Sequence, residues 1–174
     1  MDYHWNTSPA AKQTEINSLQ EALKINPYTC QLLVQRGIKN FEEAKHYFRP
    51  QLADLYDPFL MKNMDLAVEC LIEAISSGQK IMIYGDYDVD GTTSVSLVYG
   101  FLNKFHPDKL IKYIPDRYKE GYGVSDLGVQ TAIDQQVGLV ITLDCGIKAV
   151  QQIQKLDDAG INTIICDHHL PGTI

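Results

Sequence analysis

The sequence is short of positive charge: 15 Lys and Arg stand against 22 Asp and Glu in 174 residues, a formal net charge of -7. That balance argues against a protein that holds nucleic acid by bulk charge, where affinity comes from cations set against phosphates. It does not exclude a nuclease, because a metal site needs clustered carboxylates and these lower the net charge wherever they sit. Cysteine is also scarce. Cys30, Cys70, Cys145 and Cys166 form no CxxC pair, which argues against a zinc knuckle. Cys70, Cys145 and Cys166 lie in apolar runs and read as small buried hydrophobes. No run approaches the ~18 apolar residues of a membrane span. The opening Met-Asp-Tyr-His-Trp lacks the basic and apolar regions of a secretion signal. The expected compartment is the cytoplasm, without disulfides and without a membrane partner. With 45% hydrophobic and 21% charged residues, disorder is excluded and an ordinary globular core is expected.

The apolar pattern divides the chain. Residues 10–77 read as helical. Ile16, Leu19 and Leu23 mark a first helix, Pro27 opens a second that stops at Gly37, and Asn40 caps a third over 41–48. A proline-bounded connection leads to a helix over 64–76, with Ala67, Leu71, Ala74 and Ile75 on one face. From residue 80 strands alternate with helices. Strands are expected at 80–84, 110–114, 139–143 and 161–166. Helices are expected at 92–105 (apolar side Leu97, Val98, Phe101, Leu102 and Phe105), from Ser125 to about Gln136, and at 147–158. Such alternation implies parallel βαβ units and a doubly wound, Rossmann-like α/β sheet. The expected division is a helical region, 1–78, packing on an α/β region, 79–174.

Acidic and histidine residues fall at strand ends. Asp86, Asp88 and Asp90 follow the first strand, Asp144 the third, and Asp167, His168 and His169 the last. In an open parallel sheet the carboxyl ends of the strands share one edge, where ligands bind, so the three groups land on one rim. Crowded carboxylates repel one another, and divalent cations remove that penalty. Asp oxygens with one or two imidazoles suit Mn²⁺ or Mg²⁺, with Zn²⁺ or Fe²⁺ as alternatives. Two ions about 3.5–4 Å apart would activate water and stabilise the leaving oxygen of a phosphoester. The competing reading makes these residues solvated loop groups or helix caps. An EF-hand fails because Leu97 occupies the position of its bidentate Glu and a strand precedes the loop. A P-loop fails because Gly91 follows Gly85 one residue too late and Thr92 replaces the Lys. Asp88-Val-Asp-Gly-Thr-Thr93 looks like the nucleophile loop of haloacid-dehalogenase phosphatases, a reading that leaves Asp86, Asp144 and the His pair unused.

Gly85-Asp-Tyr-Asp-Val-Asp-Gly91, Leu143-Asp-Cys-Gly146 and Asp167-His-His169 resemble, in order, the first three motifs of the DHH phosphoesterase superfamily. Arg36-Gly37-Ile38, Pro58-Phe-Leu-Met61 and Ile114-Pro-Asp-Arg-Tyr-Lys-Glu-Gly-Tyr-Gly123 add a likeness to its single-strand-specific 5′→3′ exonucleases. The resemblance implies that Asp88, Asp90, Asp144 and His168 are metal ligands and that Asp144 bridges two ions of Mn²⁺ or Mg²⁺. It makes Asp86 an extra ligand or a group just behind the ligands. It turns His169 toward the scissile phosphate and leaves Asp167 to orient a His or the turn. Tyr84 stands where some members carry a metal-binding His. The implied partners are single-stranded DNA at its 5′ end, a single-strand-binding protein and a helicase, in repair and recombination. The family's fourth motif, a further domain and an OB-fold have no counterpart here, so a poorly active fragment is expected. The alternatives are a phosphodiesterase for short oligoribonucleotides or cyclic dinucleotides, and a metal-binding scaffold without catalysis. In the 115–123 loop, Arg117 suits a phosphate clamp and Tyr122 suits base stacking. The other reading pairs Arg117 with Asp116 or Glu120 and lays Tyr122 on the core. Residues 103–120 carry five cations against three acids, which favours a polyanion-facing surface. His4, His46 and His106 are expected to be exposed.

Overall fold

Residues 4 and 6–172 are described by the computed structural model; Trp5, for which the sequence suggests no role, lies outside them. The chain forms two compact units, Met1–Asp57 and Pro58–Ile174. In the first, helices α1 (Gln13–Leu23), α2 (Pro27–Gln35) and α3 (Phe41–Phe48) bury Ile16, Leu19, Cys30, Leu33, Val34, Ile38 and Ala44 against one another. Their starts follow local chemistry. Pro27 occupies the first turn of α2 behind an Asn26 cap that accepts from Tyr28 N at 2.9 Å. Asn40 accepts from Glu43 N at 2.9 Å, and Glu43 accepts in return from Lys39 N at 2.6 Å.

The second unit is built on four parallel strands: β1 (Lys80–Gly85), β2 (Leu110–Tyr113), β3 (Val137–Leu143) and β4 (Asn162–Cys166), in the order β2-β1-β3-β4. Helices cover both faces. On one, α4 (Met64–Ser76) and α5 (Val89–Leu102) bring Ala74, Val95 and Leu102 onto Ile81, Ile83, Leu139, Ile141 and Leu143. On the other, α6 (Asp126–Asp134) and α7 (Val150–Asp158) bring Val129, Ala132 and Leu156 onto Met82, Tyr84 and Val140. Successive residues of β1 and β3 thus serve opposite layers, as the two-residue period of a strand requires. Buried on both sides, these strands read as unbroken apolar runs. Among the described residues no helix is long and apolar enough to cross a membrane.

Several expectations need correction. The break in compactness falls at Asp57/Pro58, not at 78/79. Helix α4 belongs with the sheet because Ala74 is buried there, with Cys70, Leu71 and Ile75 packed against the same cluster. Helix α5 begins at Val89, and its inward face is Gly91, Val95 and Leu102, with Val98 half-buried; Leu97, Phe101 and Phe105 are exposed. The phase is set at the helix start, where Gly91 lies on the backbone of Asp86. A Cβ at Gly91 would come within 2.3 Å of the Asp86 carbonyl oxygen, and one at Gly85 within 2.3 Å of Val95. His106 is buried, its Nε2 2.7 Å from the Gln79 carbonyl. Cys145 is buried as expected, but Cys70 is half-buried and Cys166 exposed, because β4 lies at the sheet edge.

The contact between Gly91 and the Asp86 backbone predicts that Gly91→Ala destabilises the protein by about 1–3 kcal/mol, the range for overpacking a filled site. Denaturant melts of the two proteins, compared at unchanged slope, measure the loss.

Candidate metal centre

Gly85, Leu143 and Cys166 are register partners across β1, β3 and β4. The next residue of each strand is therefore Asp86, Asp144 or Asp167, and three carboxylates stand in a row along one sheet edge. From β1 the chain goes to β2 on one side, then returns to β3 on the other. The crevice between β1 and β3 is thus the topological switch point, where open α/β sheets bind ligands.

Each carboxylate has a distinct setting. Asp86 is fully buried; its Oδ1 accepts from Gly123 N at 3.4 Å and its Oδ2 has no partner. A buried carboxylate oxygen without a donor is costly, and a cation would satisfy it. Asp144 adopts a left-handed backbone at φ 60° while its N–H donates to the Cys166 carbonyl at 2.8 Å, which turns the chain directly off β3. Its Oδ1 lies 3.1 Å from His168 Nε2. Asp167 accepts from Ile147 N at 3.0 Å, from His169 N at 3.0 Å and from His169 Nδ1 at 2.7 Å, tying the loops after β3 and β4 together. Burial pushes the Asp167 carboxyl upward, but these donors outweigh it and hold the group below its ordinary value.

Asp144, His168 and His169 each present one donor atom, all within 4.8 Å of one another. Among the described residues, Asp86, Asp88 and Asp90 lie outside that trio. Asp88 caps α5, accepting from Gly91 N at 3.0 Å, and Asp90 sits exposed in the first turn of the helix. Asp88 thus has the geometry of a helix cap, the competing reading of these acids, and Asp90 stands in the first turn of the helix that it caps.

Two neighbouring groups sense the rim charge. Burial first, then Asp86, Asp144 and Asp167, push the Tyr122 hydroxyl up to about 12. Burial, then Asp86, Asp167 and Asp144, push the Cys145 thiol up to about 12 as well. Both therefore stay protonated at neutral pH, and both register the same three carboxylates. The negative potential, the oxygen and imidazole donors and the unpartnered Asp86 Oδ2 together fit a hard divalent cation.

Tyr122 lies nearer the rim than the sequence indicates. Its hydroxyl donates to the Asp144 carbonyl at 3.3 Å and is 3.3 Å from His169 Nε2. Arg117 makes no ion pair among the described residues. Its guanidinium lies over Tyr87, 5.1 Å from the ring centroid, and Tyr87 meets Tyr122 edge-on at 6.3 Å. Sequence reasoning assigns no role to Tyr87 and reads Cys145 only as a small buried hydrophobe. Their only signal is position, one residue beyond a strand-end Asp in each case.

Mn²⁺ is expected to raise the melting temperature of this chain, since an ion that binds only the folded cluster stabilises it. Asp144→Asn is expected to abolish that response while leaving the ion-free melting temperature nearly unchanged; calorimetry with and without Mn²⁺ checks both. Acid has a separate effect. Because the Asp167 pKa is lowered in the folded state, its stabilisation is complete above the ordinary value of 3.8 and is lost as pH falls through the lower folded value. Asp167→Asn should therefore flatten the acid limb of melting temperature against pH.

Comparison with known proteins agrees with the fold. The family model "DHH family, N-terminal domain" matches residues 80–174. The single-stranded-DNA-specific exonuclease RecJ of Bacillus subtilis (strain 168) is 43% identical over 160 residues, covering 92% of this chain and 20% of that protein. RecJ of Thermus thermophilus is 30% identical over 168 residues, covering 97% of this chain and 24% of that protein. A crystal structure of RecJ from Thermus thermophilus in complex with Mn²⁺ superposes with a TM-score of 0.67 at 27% identity, over 95% of this chain and 23% of that one. A crystal structure of exonuclease RecJ bound to manganese gives 0.60 at 34% identity, over 66% of this chain and 29% of that one. The chain thus spans about a quarter or less of the length of these two curated relatives. With the three motifs at the ends of β1, β3 and β4 and the family match over the whole α/β sheet, this chain belongs to the DHH family.

Proposed function

We propose that this chain is the N-terminal part of a metal-dependent exonuclease that removes nucleotides from the 5′ end of single-stranded DNA. The observation that carries the reading is the row of Asp86, Asp144 and Asp167 at the β1/β3 switch point, with His168 and His169 closing on Asp144. In this reading Asp86, Asp88, Asp90, Asp144 and His168 hold two ions of Mn²⁺ or Mg²⁺. The ions, when bound, supply Lewis-acid activation of water and neutralise charge on the leaving oxygen.

The chain's own residues do the rest. Asp167 takes the Nδ1–H of His169 and so fixes the tautomer, leaving Nε2 to face outward beside Tyr122. His169 Nε2, once protonated, donates to a non-bridging oxygen of the scissile phosphate. Arg117 offers a planar fork to the terminal phosphate, and Tyr122 presents its ring to the terminal base. The likeness to single-stranded-DNA-specific exonucleases supports DNA as substrate; a cytoplasmic role in repair and recombination, beside a single-strand-binding protein and a helicase, is part of the same proposal.

The full-length protein is expected to degrade single-stranded DNA from the 5′ end, and the 174-residue chain to do so poorly, since its net charge of -7 weakens unaided binding to a polyanion. Asp90→Ala should abolish hydrolysis of both DNA and a small phosphodiester. Arg117→Ala should reduce use of 5′-phosphorylated DNA by about tenfold or more, the loss expected for a charged hydrogen-bond partner, and spare the small substrate. Equal losses on the two substrates would remove Arg117 from the substrate site.

A further inference from the structure

Tyr122 stands over the rim, flanked by two glycines. Its neighbours Gly121 and Gly123 both have positive φ, 82° and 85°, a conformation glycine adopts without strain. Something other than the local backbone must hold it. The loop from Tyr113 to Ser125 converges on one carboxylate, that of Glu120. Its Oε1 accepts from Asp116 N at 2.7 Å. Its Oε2 accepts from Tyr113 Oη at 2.7 Å and from Ser125 Oγ. Ser125 Oγ in turn accepts from Gly128 N at 2.9 Å as the cap of α6. Ser125 N donates to the buried Tyr84 hydroxyl at 2.9 Å, which donates to the Gly123 carbonyl at 3.0 Å. The Tyr84 and Tyr113 rings stack at 5.0 Å. One side chain therefore joins the end of β2, both ends of the loop and the start of α6, with β1 beneath.

We propose that Glu120 is a positioning residue: its carboxylate clamps the 113–125 loop so that Tyr122 is held against the Asp144 carbonyl and His169. The proposal rests on the nuclease reading for what Tyr122 then contacts, the terminal nucleotide, but the clamp itself is independent of that reading. Three donors converge on the carboxylate, and truncation would remove all three contacts at once. An amide is different. The Tyr113 and Ser125 hydroxyls rotate, so the amide nitrogen introduced by Glu120→Gln would donate to both while the amide oxygen keeps Asp116 N. Glu120→Gln should then preserve the clamp, and Glu120→Ala should open it.

Hydrogen exchange on this chain, without DNA, decides the first part. Glu120→Ala is expected to speed exchange of amides in 116–124 by about tenfold or more, the range for losing charged hydrogen bonds. Exchange in β1 and β3 should stay within about twofold, and Glu120→Gln should match the wild type. Unchanged loop exchange in Glu120→Ala, or equal acceleration throughout the sheet, would overturn the clamp. In the full-length protein, Glu120→Ala should raise KM for 5′ ends about tenfold with kcat and Mn²⁺ affinity nearly unchanged, and Glu120→Gln should restore KM. A fall in kcat at constant KM would overturn the positioning role. If the wild-type protein does not cut DNA, the nuclease reading fails, and the exchange result still decides the clamp.

Discussion

Gly85 of β1 and Leu143 of β3 are register partners in a parallel sheet, and the rest of the site depends on that pairing. Parallel strands end on the same edge, so residues far apart in the chain become neighbours without any direct attraction between them. Two carboxylates placed side by side have no attraction of their own to hold them there. The sheet brings them together because the apolar layers on both faces bury Ile81, Ile83, Leu139, Ile141, Met82, Tyr84 and Val140, and a one-residue slip would turn each of those side chains to the wrong face. Hydrophobic burial thus imposes an electrostatic cost on the rim. The unpartnered Asp86 oxygen is where that cost appears, and the Tyr122 and Cys145 groups, raised first by their own burial, register the same carboxylates in second place.

A second constraint acts at the junction of β1 and α5. Gly85 and Gly91 leave room for the helix start to lie on the strand end, and Val95 fills the space beside Gly85. This contact fixes where α5 begins and which of its faces turns inward. Asp88 becomes the cap and Asp90 the first-turn acid, so the helix start carries negative side chains where its own dipole is positive. The favourable interaction there partly offsets the accumulation of carboxylates at this end of the sheet.

Much of this is legible in the residues. Helices α3 and α4 have their expected limits because Asn40, Pro50 and Gly78 punctuate them, and the strand pattern with motifs at strand ends locates the rim. The face of α5 is not legible. Of the expected stripe, Leu102 is buried and Val98 half-buried, but Leu97, Phe101 and Phe105 face outward, and the contact of Gly91 with the Asp86 backbone helps set that phase. The burial of His106 escapes the sequence because it comes with a hydrogen bond to Gln79, a residue outside its own segment. The division of the chain is misplaced by composition, which changes where the sheet begins, whereas packing groups α4 with the sheet it covers. Asp88 and Asp90 illustrate a further limit: spacing puts them near the rim, but the direction of each side chain follows from where α5 starts.

The left-handed backbone at Asp144 narrows the choice of amino acid there from two sides at once. A β-branched or large residue would strain the turn that leaves β3. Glycine would relax the turn and offer no donor atom. Asparagine would suit the turn and still present an oxygen, but a neutral one beside two imidazoles. Of the side chains that accept this conformation readily, only aspartate also brings a negative charge. Backbone geometry and ligand chemistry therefore select the same residue independently, and drift at this position has almost no neutral path.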